Sequence, residues 1–336
     1  MGKLSTTYLG LPVSSPVIVG ACDLVETPEH LSKMEKAGAG AIIYKSLFEE
    51  QIQLEDLELS NMLDSYNERN AEMTRLFPGS SYSGPEEFLN RLALAKKKVT
   101  IPLIASLNAI FPETWVKYAK GIESTGVNGL ELNFFNVPFS NSRTGSQIEN
   151  EQLAIVKSVV DAVKIPVSVK LSPYYSNLMN FIGRLQETGI EGIVLFNKVF
   201  QPDIDIDTLK HVSPWNLSSE KEYRLTLRYS GLLYGEFRGD IIGNRGIYNG
   251  DDAIRLLLAG ADSVQIVSTL YKNGFGRITE INNTMTAWMT RHGFKTIDDF
   301  RGKLSRINTL NPLIYKRAQY IDMMLNSGKL INRPGL

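Results

Sequence analysis

The sequence contains one cysteine and three histidines among its 336 residues. The single cysteine, Cys22, cannot form an intrachain disulfide, and its isolation excludes a zinc or iron–sulfur site built from several cysteines of this chain. The histidines are His30, His211 and His292, and no carboxylate cluster at metal-ligand spacing accompanies them. We therefore expect no bound metal and a reducing compartment.

Neither sign of charge is in excess, because 36 Lys and Arg residues balance 36 Asp and Glu residues. The chain as a whole therefore lacks the positive field that draws proteins to nucleic acids or anionic membranes. No apolar run approaches the roughly 20 residues that a membrane helix requires. Residues 1–24 also lack a signal-peptide pattern. These absences predict a cytoplasmic protein with a small-molecule partner, and neither a nucleic-acid partner nor a membrane.

Eight short runs are apolar on both faces, which is typical of buried parallel strands. They lie at 16–20, 41–46, 102–107, 129–134, 166–171, 192–197, 240–246 and 263–269. Amphipathic helical patterns fill most of the intervals, and segments such as TGIEGIVL place a helix-ending glycine before a strand. Eight such units, without a GxGxxG turn after the first strand, favour an α/β fold of the TIM (β/α)8 barrel type over a doubly wound sheet.

Two segments exceed the minimal barrel. Residues 47–83 form a polar insertion after the second strand, and we expect it on the active-site face as a lid or a subunit contact. The tail contains an amphipathic helical pattern, and we expect it to pack on the barrel or on a partner subunit. The sequence thus predicts one barrel domain over 1–293 and a C-terminal helical extension over 294–336.

Polar residues follow the predicted strands at the ends where barrel enzymes place their catalytic groups, so they should converge on one pocket. These residues are Cys22, Lys45, Ser46, Ser106, Asn108, Asn133, Asn136, Lys170, Ser172, Asn197, Lys198, Asn244, Arg245, Ser268 and Thr269. Lys45 and Lys170 end apolar strands, where an unpaired buried ammonium is costly. We interpret the two lysines as a sign of an anionic ligand, although each could instead reach solvent at the rim.

The loops after the seventh and eighth strands have the sequences GNRGIYNGDDA and VSTLYKNG, at the usual phosphate site of such barrels. Gly243, Gly246 and Gly250 would permit close backbone approach, and Ser268 and Thr269 would add hydroxyl donors. The helix that follows the first of these loops would offer free N–H groups. The two loops predict a phosphate cradle, although tight turns alone could also explain the glycines.

One long segment and four short ones also match a known family. IIGNRGIYNGDDAIRLLLAGA follows the family's second signature except that Arg245 replaces a glycine, and YKS, ELN, VKLSP and VLFN stand where the family has two lysines and two asparagines. From TTYLGLPVSSPVIVGA to the last barrel helix, the chain resembles the dihydroorotate dehydrogenase family of FMN barrels. The resemblance implies a soluble FMN flavoprotein, commonly a homodimer, that oxidises a CH–CH bond, in the family case (S)-dihydroorotate to orotate in pyrimidine biosynthesis.

The resemblance also implies roles for individual residues. Lys45 would lie beside flavin and substrate, Asn133 and Asn197 would hydrogen-bond either molecule, and Asn136 would stand at the position of the base. Lys170 would face the pyrimidine edge of the flavin, where reduction develops negative charge. The implied cofactor-binding residues are Ala21, Lys45, Ser46, Asn108, Asn133, Lys170, Asn197, Asn244, Arg245, Gly246, Ser268 and Thr269.

The departures from the family concern mainly the substrate. The family's loop after strand four supplies a cysteine or serine base, whereas Asn136 cannot accept a proton usefully near neutral pH. Ser140 or Ser142 could substitute if that loop folds inward. The segment LSNMLDSYNERNAEM matches the family's orotate-binding loop only in part. Arg245 could crowd the cofactor, but we expect it to contact the phosphate.

Two further readings of the barrel stay open. Lys170 could act as the nucleophile of a Schiff-base, aldolase-type barrel. The barrel could also have lost catalysis and serve as a subunit or a regulatory partner through its insertion or its C-terminal extension.

Overall fold

The computed structural model describes residues 3–48, 85–109, 112–134, 141–198, 202–212, 217–316, 321 and 324–325. Eight parallel strands close into a barrel in chain order, and β8 completes the ring by pairing with β1. The strands are β1 Val17–Val19, β2 Ala41–Phe48, β3 Leu103–Asn108, β4 Gly129–Asn133, β5 Val167–Leu171, β6 Gly192–Leu195, β7 Asp240–Gly243 and β8 Ser263–Ile266. The predicted TIM (β/α)8 barrel is confirmed.

Helices follow the strands and surround the barrel. They are α1 Pro28–Lys36, α2 Pro85–Lys96, α3 Pro112–Ser124, α4 Gly145–Ala162, α5 Leu178–Leu185, α6 Tyr223–Leu233, α7 Gly250–Ala259, α8 Ser268–Asn273 and α9 Gly276–His292. Thr144 and Gln147 form a capping box at the start of α4, and Gly260 ends α7 with a φ of 127° that glycine tolerates. None of the helices in the described ranges is both long and apolar enough to cross a membrane.

Alternate residues of each strand enter two different cores, because side chains of a strand point to opposite faces. On β5, Val167 and Val169 pack in the core between strands and helices, whereas Lys170 lines a cavity at the barrel mouth. A separate apolar cluster fills the barrel interior, and a hairpin formed by Thr6–Tyr8 and Leu11–Val13 contributes to it. The backbone N–H of Leu9 donates to Asp240 Oδ2 at 2.6 Å and ties this hairpin to β7.

The described part of the C-terminal extension contacts the barrel helices through its backbone. Gly302 N–H donates to Leu257 O at 2.9 Å, and Arg306 N–H donates to Gly231 O at 2.8 Å, so the extension bridges α7 and α6. The domain boundary at 293/294 stays a prediction. Most of the predicted 47–83 insertion lies outside the described residues. A small hairpin that the sequence analysis did not predict, Asp203–Asp205 with Lys210–Val212, follows β6.

Candidate active site

A cavity of about 350 Å³ opens at the carboxyl ends of the barrel strands. Its volume is within the range of small-molecule sites. The structure brings together all but one of the predicted cofactor-binding residues along its wall: Ala21, Lys45, Ser46, Asn108, Asn133, Lys170, Asn197, Asn244, Arg245, Gly246 and Ser268. Thr269 is the exception, because its buried hydroxyl donates to Tyr248 O at 3.1 Å and does not face the cavity.

Lys170 is held by two buried side chains inside the barrel. Its Nζ lies 3.6 Å from Glu131 Oε1 on β4 and donates to Gln265 Oε1 on β8 at 3.4 Å. Gln265 in turn donates from Nε2 to Glu131 Oε2 at 2.6 Å, which closes a triangle of contacts. Glu131 is fully buried and Lys170 nearly so. The ammonium is therefore fixed at the base of the cavity by the protein's own groups.

Lys45 occupies the end of β2 and is paired in a different way. Its Nζ lies 2.9 Å from Asp23 Oδ1 and 2.9 Å from Glu26 Oε2, both in the segment after β1. Burial lowers the pKa of Lys45, but hydrogen bonds with the two carboxylates raise it overall. Both lysines thus have carboxylate partners within the chain, which balance their charge, and an anionic ligand beside them stays a prediction.

The amide side chains at the mouth are also oriented by contacts within the chain. Asn197 Nδ2 donates to Asn133 Oδ1 at 2.6 Å and to Phe134 O at 3.1 Å. Asn244 Nδ2 donates to Phe196 O at 3.1 Å, on the neighbouring strand end. Within the described part of the chain, this pairing leaves Asn133 its amide donors and Asn197 its carbonyl oxygen for a ligand.

The loop after β7 contributes Arg245 and Gly246, both with a left-handed backbone. Their φ angles are 77° and 63°, and a Cβ on Gly246 would lie only 2.8 Å from Glu222 N. Glycine is therefore required at 246. Arg245 Nη2 donates to Glu222 Oε2 at 2.8 Å, so the arginine is already paired at the cavity wall.

The N-terminus of α7 is partly capped by side chains of its own segment. Asn249 Oδ1 accepts the N–H of Asp252 at 3.0 Å, and Asp252 Oδ2 accepts the N–H of Tyr248 at 3.0 Å. Gly250 itself packs against Thr284 of α9. The N–H of Asp252 is thus already paired, and the first-turn residues 250–252 do not line the cavity.

The residues considered as a base or a thiol nucleophile lie in different parts of the chain. Asn136 and Ser140 lie outside the described residues, and Ser142 is exposed and does not line the cavity. Cys22 does line the cavity, but burial raises the pKa of its thiol to about 11. A thiol with that pKa is protonated at neutral pH, which agrees with a packing role.

Sequence reasoning missed the acidic and amide partners of the site. Glu131 precedes Asn133 by two residues and therefore faces the same side of β4, a period-two signal that identifies it as inward-facing. Gln265 is a single polar residue between apolar residues of β8, and its contact with Lys170 was not predicted. Glu222, which fixes Arg245, lies in a polar segment before α6 that carries no comparable signal.

Comparisons with known proteins agree on one family. The family model described as dihydroorotate dehydrogenase matches residues 58–289. The dihydroorotate dehydrogenase B (NAD(+)), catalytic subunit, of Thermoplasma volcanium is 29% identical over 307 residues, covering 90% of this chain and 98% of the relative. The protein of the same name from Methanocaldococcus jannaschii is 25% identical over 313 residues, with 89% and 97% covered. An Aeropyrum pernix protein, provisionally named dihydroorotate dehydrogenase A (fumarate), is 26% identical over 320 residues, with 90% and 98% covered.

Proposed function

The chain belongs to the dihydroorotate dehydrogenase family, and from this premise we propose that it is an FMN-dependent oxidoreductase acting on a CH–CH bond. The observation that carries the proposal is the buried Lys170, fixed by Glu131 at 3.6 Å at the base of a cavity lined by Asn133 and Asn197. A fixed cation would stabilise the negative charge that a flavin develops on reduction, and oriented amides would hydrogen-bond the ring or the substrate.

The residues at the cavity fit FMN in their chemistry. Gly246 packs against Glu222 too closely for a Cβ and lines the cavity with its backbone, and Ser268 adds a hydroxyl on the neighbouring loop. The buried Nε of Arg245 has no hydrogen-bond partner among the described residues and could donate to a ligand. We propose that these three residues hold the phosphate, and that the strand-end residues from β2 to β6 hold the isoalloxazine ring.

FMN, when bound, would accept a hydride equivalent from the substrate at N5. Lys170 would supply the positive charge that stabilises the reduced pyrimidine edge. Lys45, kept protonated by Asp23 and Glu26, would contact both flavin and substrate. Asn133 and Asn197 would orient the substrate. Asn133 would donate from its amide N–H groups and Asn197 would accept at its carbonyl oxygen, because the hydrogen bond between the two residues uses neither group.

We propose (S)-dihydroorotate as the first substrate to test, because the similar proteins are named dihydroorotate dehydrogenases. Two of those names specify NAD(+) and one fumarate, so these are the two acceptors to compare. The proposal includes a cytoplasmic homodimer, one barrel domain over 1–293 and Asn136 at the base position. Because an amide is a poor proton acceptor, we expect slow turnover of dihydroorotate.

The Schiff-base alternative is less compatible with the site. Nucleophilic attack needs a neutral amine. Lys170 instead lies 3.6 Å from the buried Glu131 carboxylate, which is a partner for an ammonium. The fold and the family match also leave that alternative without a supporting observation of its own.

The visible absorbance spectrum of the purified protein tests the proposal first. We expect a flavin spectrum, followed by bleaching when dihydroorotate is added without oxygen. A flavin spectrum that persists would keep the flavoprotein and reject dihydroorotate. A colourless protein that does not take up added FMN would reject the proposal and favour a non-catalytic barrel.

A further inference from the structure

One carboxylate joins two cations at the cavity wall. Glu222 accepts hydrogen bonds from Lys198 Nζ, at 2.9 Å to Oε1 and 3.0 Å to Oε2, and from Arg245 Nη2, at 2.8 Å to Oε2. Lys198 and Arg245 line the cavity, whereas Glu222 does not. The carboxylate therefore stands behind the cations and links the chain that follows β6 to the loop that follows β7.

The carboxylate is itself held in place by the turn before α6. Ser219 donates to Glu222 Oε1 from its backbone N–H at 2.9 Å and from Oγ at 2.8 Å. Burial raises the pKa of Glu222, but the hydrogen bonds from Lys198, Ser219 and Arg245 lower it overall to about 2. The three ionised groups thus leave one net positive charge at this wall.

Arg245 adopts a backbone conformation that side chains rarely adopt. Its φ is 77°, in the left-handed region where residues with a Cβ are uncommon. Such strain persists only where the surrounding structure holds it, and it concentrates at ligand sites. Here the salt bridge to Glu222 holds it, and the guanidinium keeps a buried Nε without a partner among the described residues.

We propose that Glu222 is a positioning residue that holds Lys198 and Arg245 as a two-cation site for a phosphate monoester, the group that FMN carries and riboflavin lacks. The inference rests on the proposed function and deepens it, because it adds side-chain charge to the backbone cradle around Gly246. A phosphate offers three acceptor oxygens, enough to engage a guanidinium and an ammonium together.

The affinity ratio between FMN and riboflavin isolates the phosphate contribution. Apoprotein is titrated with each flavin by fluorescence quenching, and the ratio of the two dissociation constants is compared among variants. We expect Arg245→Gly and Lys198→Met each to lower the preference for FMN by about tenfold, the loss expected for one charge-assisted hydrogen bond. Glycine relaxes at a φ of 77°, so Arg245→Gly removes the cation without straining the loop.

Glu222→Gln separates a positioning role from simple charge neutralisation. A glutamine cannot hold two cations, so positioning predicts that the preference for FMN also falls by about tenfold. A carboxylate that merely neutralised the cations would give the opposite result, because its removal would strengthen the field at the phosphate. Binding of riboflavin by the same variant shows that the cavity is still folded.

Glu187→Gln is the matched control, because it removes one carboxylate from an exposed pair with Arg238 away from the cavity. It should leave the ratio unchanged. An unchanged ratio in Arg245→Gly and Lys198→Met, with both flavins still bound, would overturn the two-cation site. A raised or unchanged preference in Glu222→Gln would overturn the positioning role. A wild-type protein that binds neither flavin would reject the proposed function and this inference together.

Discussion

Replacing Glu131 by glutamine tests how the barrel carries a buried lysine. The substitution keeps the shape of the side chain and an oxygen that can still accept the hydrogen bond from Gln265 Nε2, so it removes mainly a charge. At the 3.6 Å separation from Lys170 Nζ, and with an effective dielectric constant of about 20, the lost attraction is about 5 kcal/mol.

Because the change leaves an uncompensated buried ammonium, we expect the free energy of unfolding to fall by about 3–5 kcal/mol. The assay is guanidinium denaturation at pH 7, followed by circular dichroism and by tryptophan fluorescence, whose transitions must coincide for a two-state analysis.

Two matched variants make the Glu131 result interpretable. The double variant Glu131→Met with Lys170→Met removes both charges and should cost far less than Glu131→Gln, because apolar replacement of a buried pair is often near neutral. Glu187→Gln, at an exposed ion pair, should cost less than about 1 kcal/mol. A loss below about 1 kcal/mol for Glu131→Gln would show that Lys170 is stabilised by water, and would refute the reasoning.

Three further predictions follow from the same contacts. The stability that Glu222 contributes should be complete above its ordinary pKa of 4.5 and be lost as pH falls towards about 2, so the difference in unfolding midpoint between wild type and Glu222→Gln should shrink over that range. Cys22 should react slowly with Ellman's reagent at pH 8 in the native protein and rapidly after denaturation, since its thiol pKa is about 11; equal rates would contradict this. Asp262→Ala should destabilise the barrel by about 1–3 kcal/mol in denaturant titrations, because the buried N–H of Ile241 loses its acceptor at 2.8 Å; a neutral effect would show that another group replaces it.

Local sequence patterns were sufficient for the barrel and for most of its mouth. The eight apolar runs correspond to the eight strands, because burial on both faces requires apolar side chains at successive positions. Lys45, Asn133, Lys170 and Asn197 were predicted to share a pocket because parallel strands in a closed barrel all end on one face. That prediction needed the order and direction of the strands, and no contact between distant residues.

The pairing of charges was decided by the tertiary structure. Lys170 and Gln265 are separated by 95 residues in the chain and meet inside the barrel. The carboxylates that hold Lys45 and Arg245 look like ordinary solvated charges in their local sequence, and the spacing of Glu131 shows that it faces inward but not that it pairs with Lys170. The tertiary structure also decides where the N-terminus of α7 lies, because Asn249 caps the N–H of Asp252 and the first turn of the helix does not line the cavity.

What the sequence determined by itself was therefore the architecture and the face of the barrel on which the polar groups collect, since both follow from periodicity along the chain. What only the tertiary structure decided was which charges neutralise one another and which remain directed at the cavity. The physical reason is that electrostatic interactions depend on distance and burial, and both are set by residues that are remote in sequence.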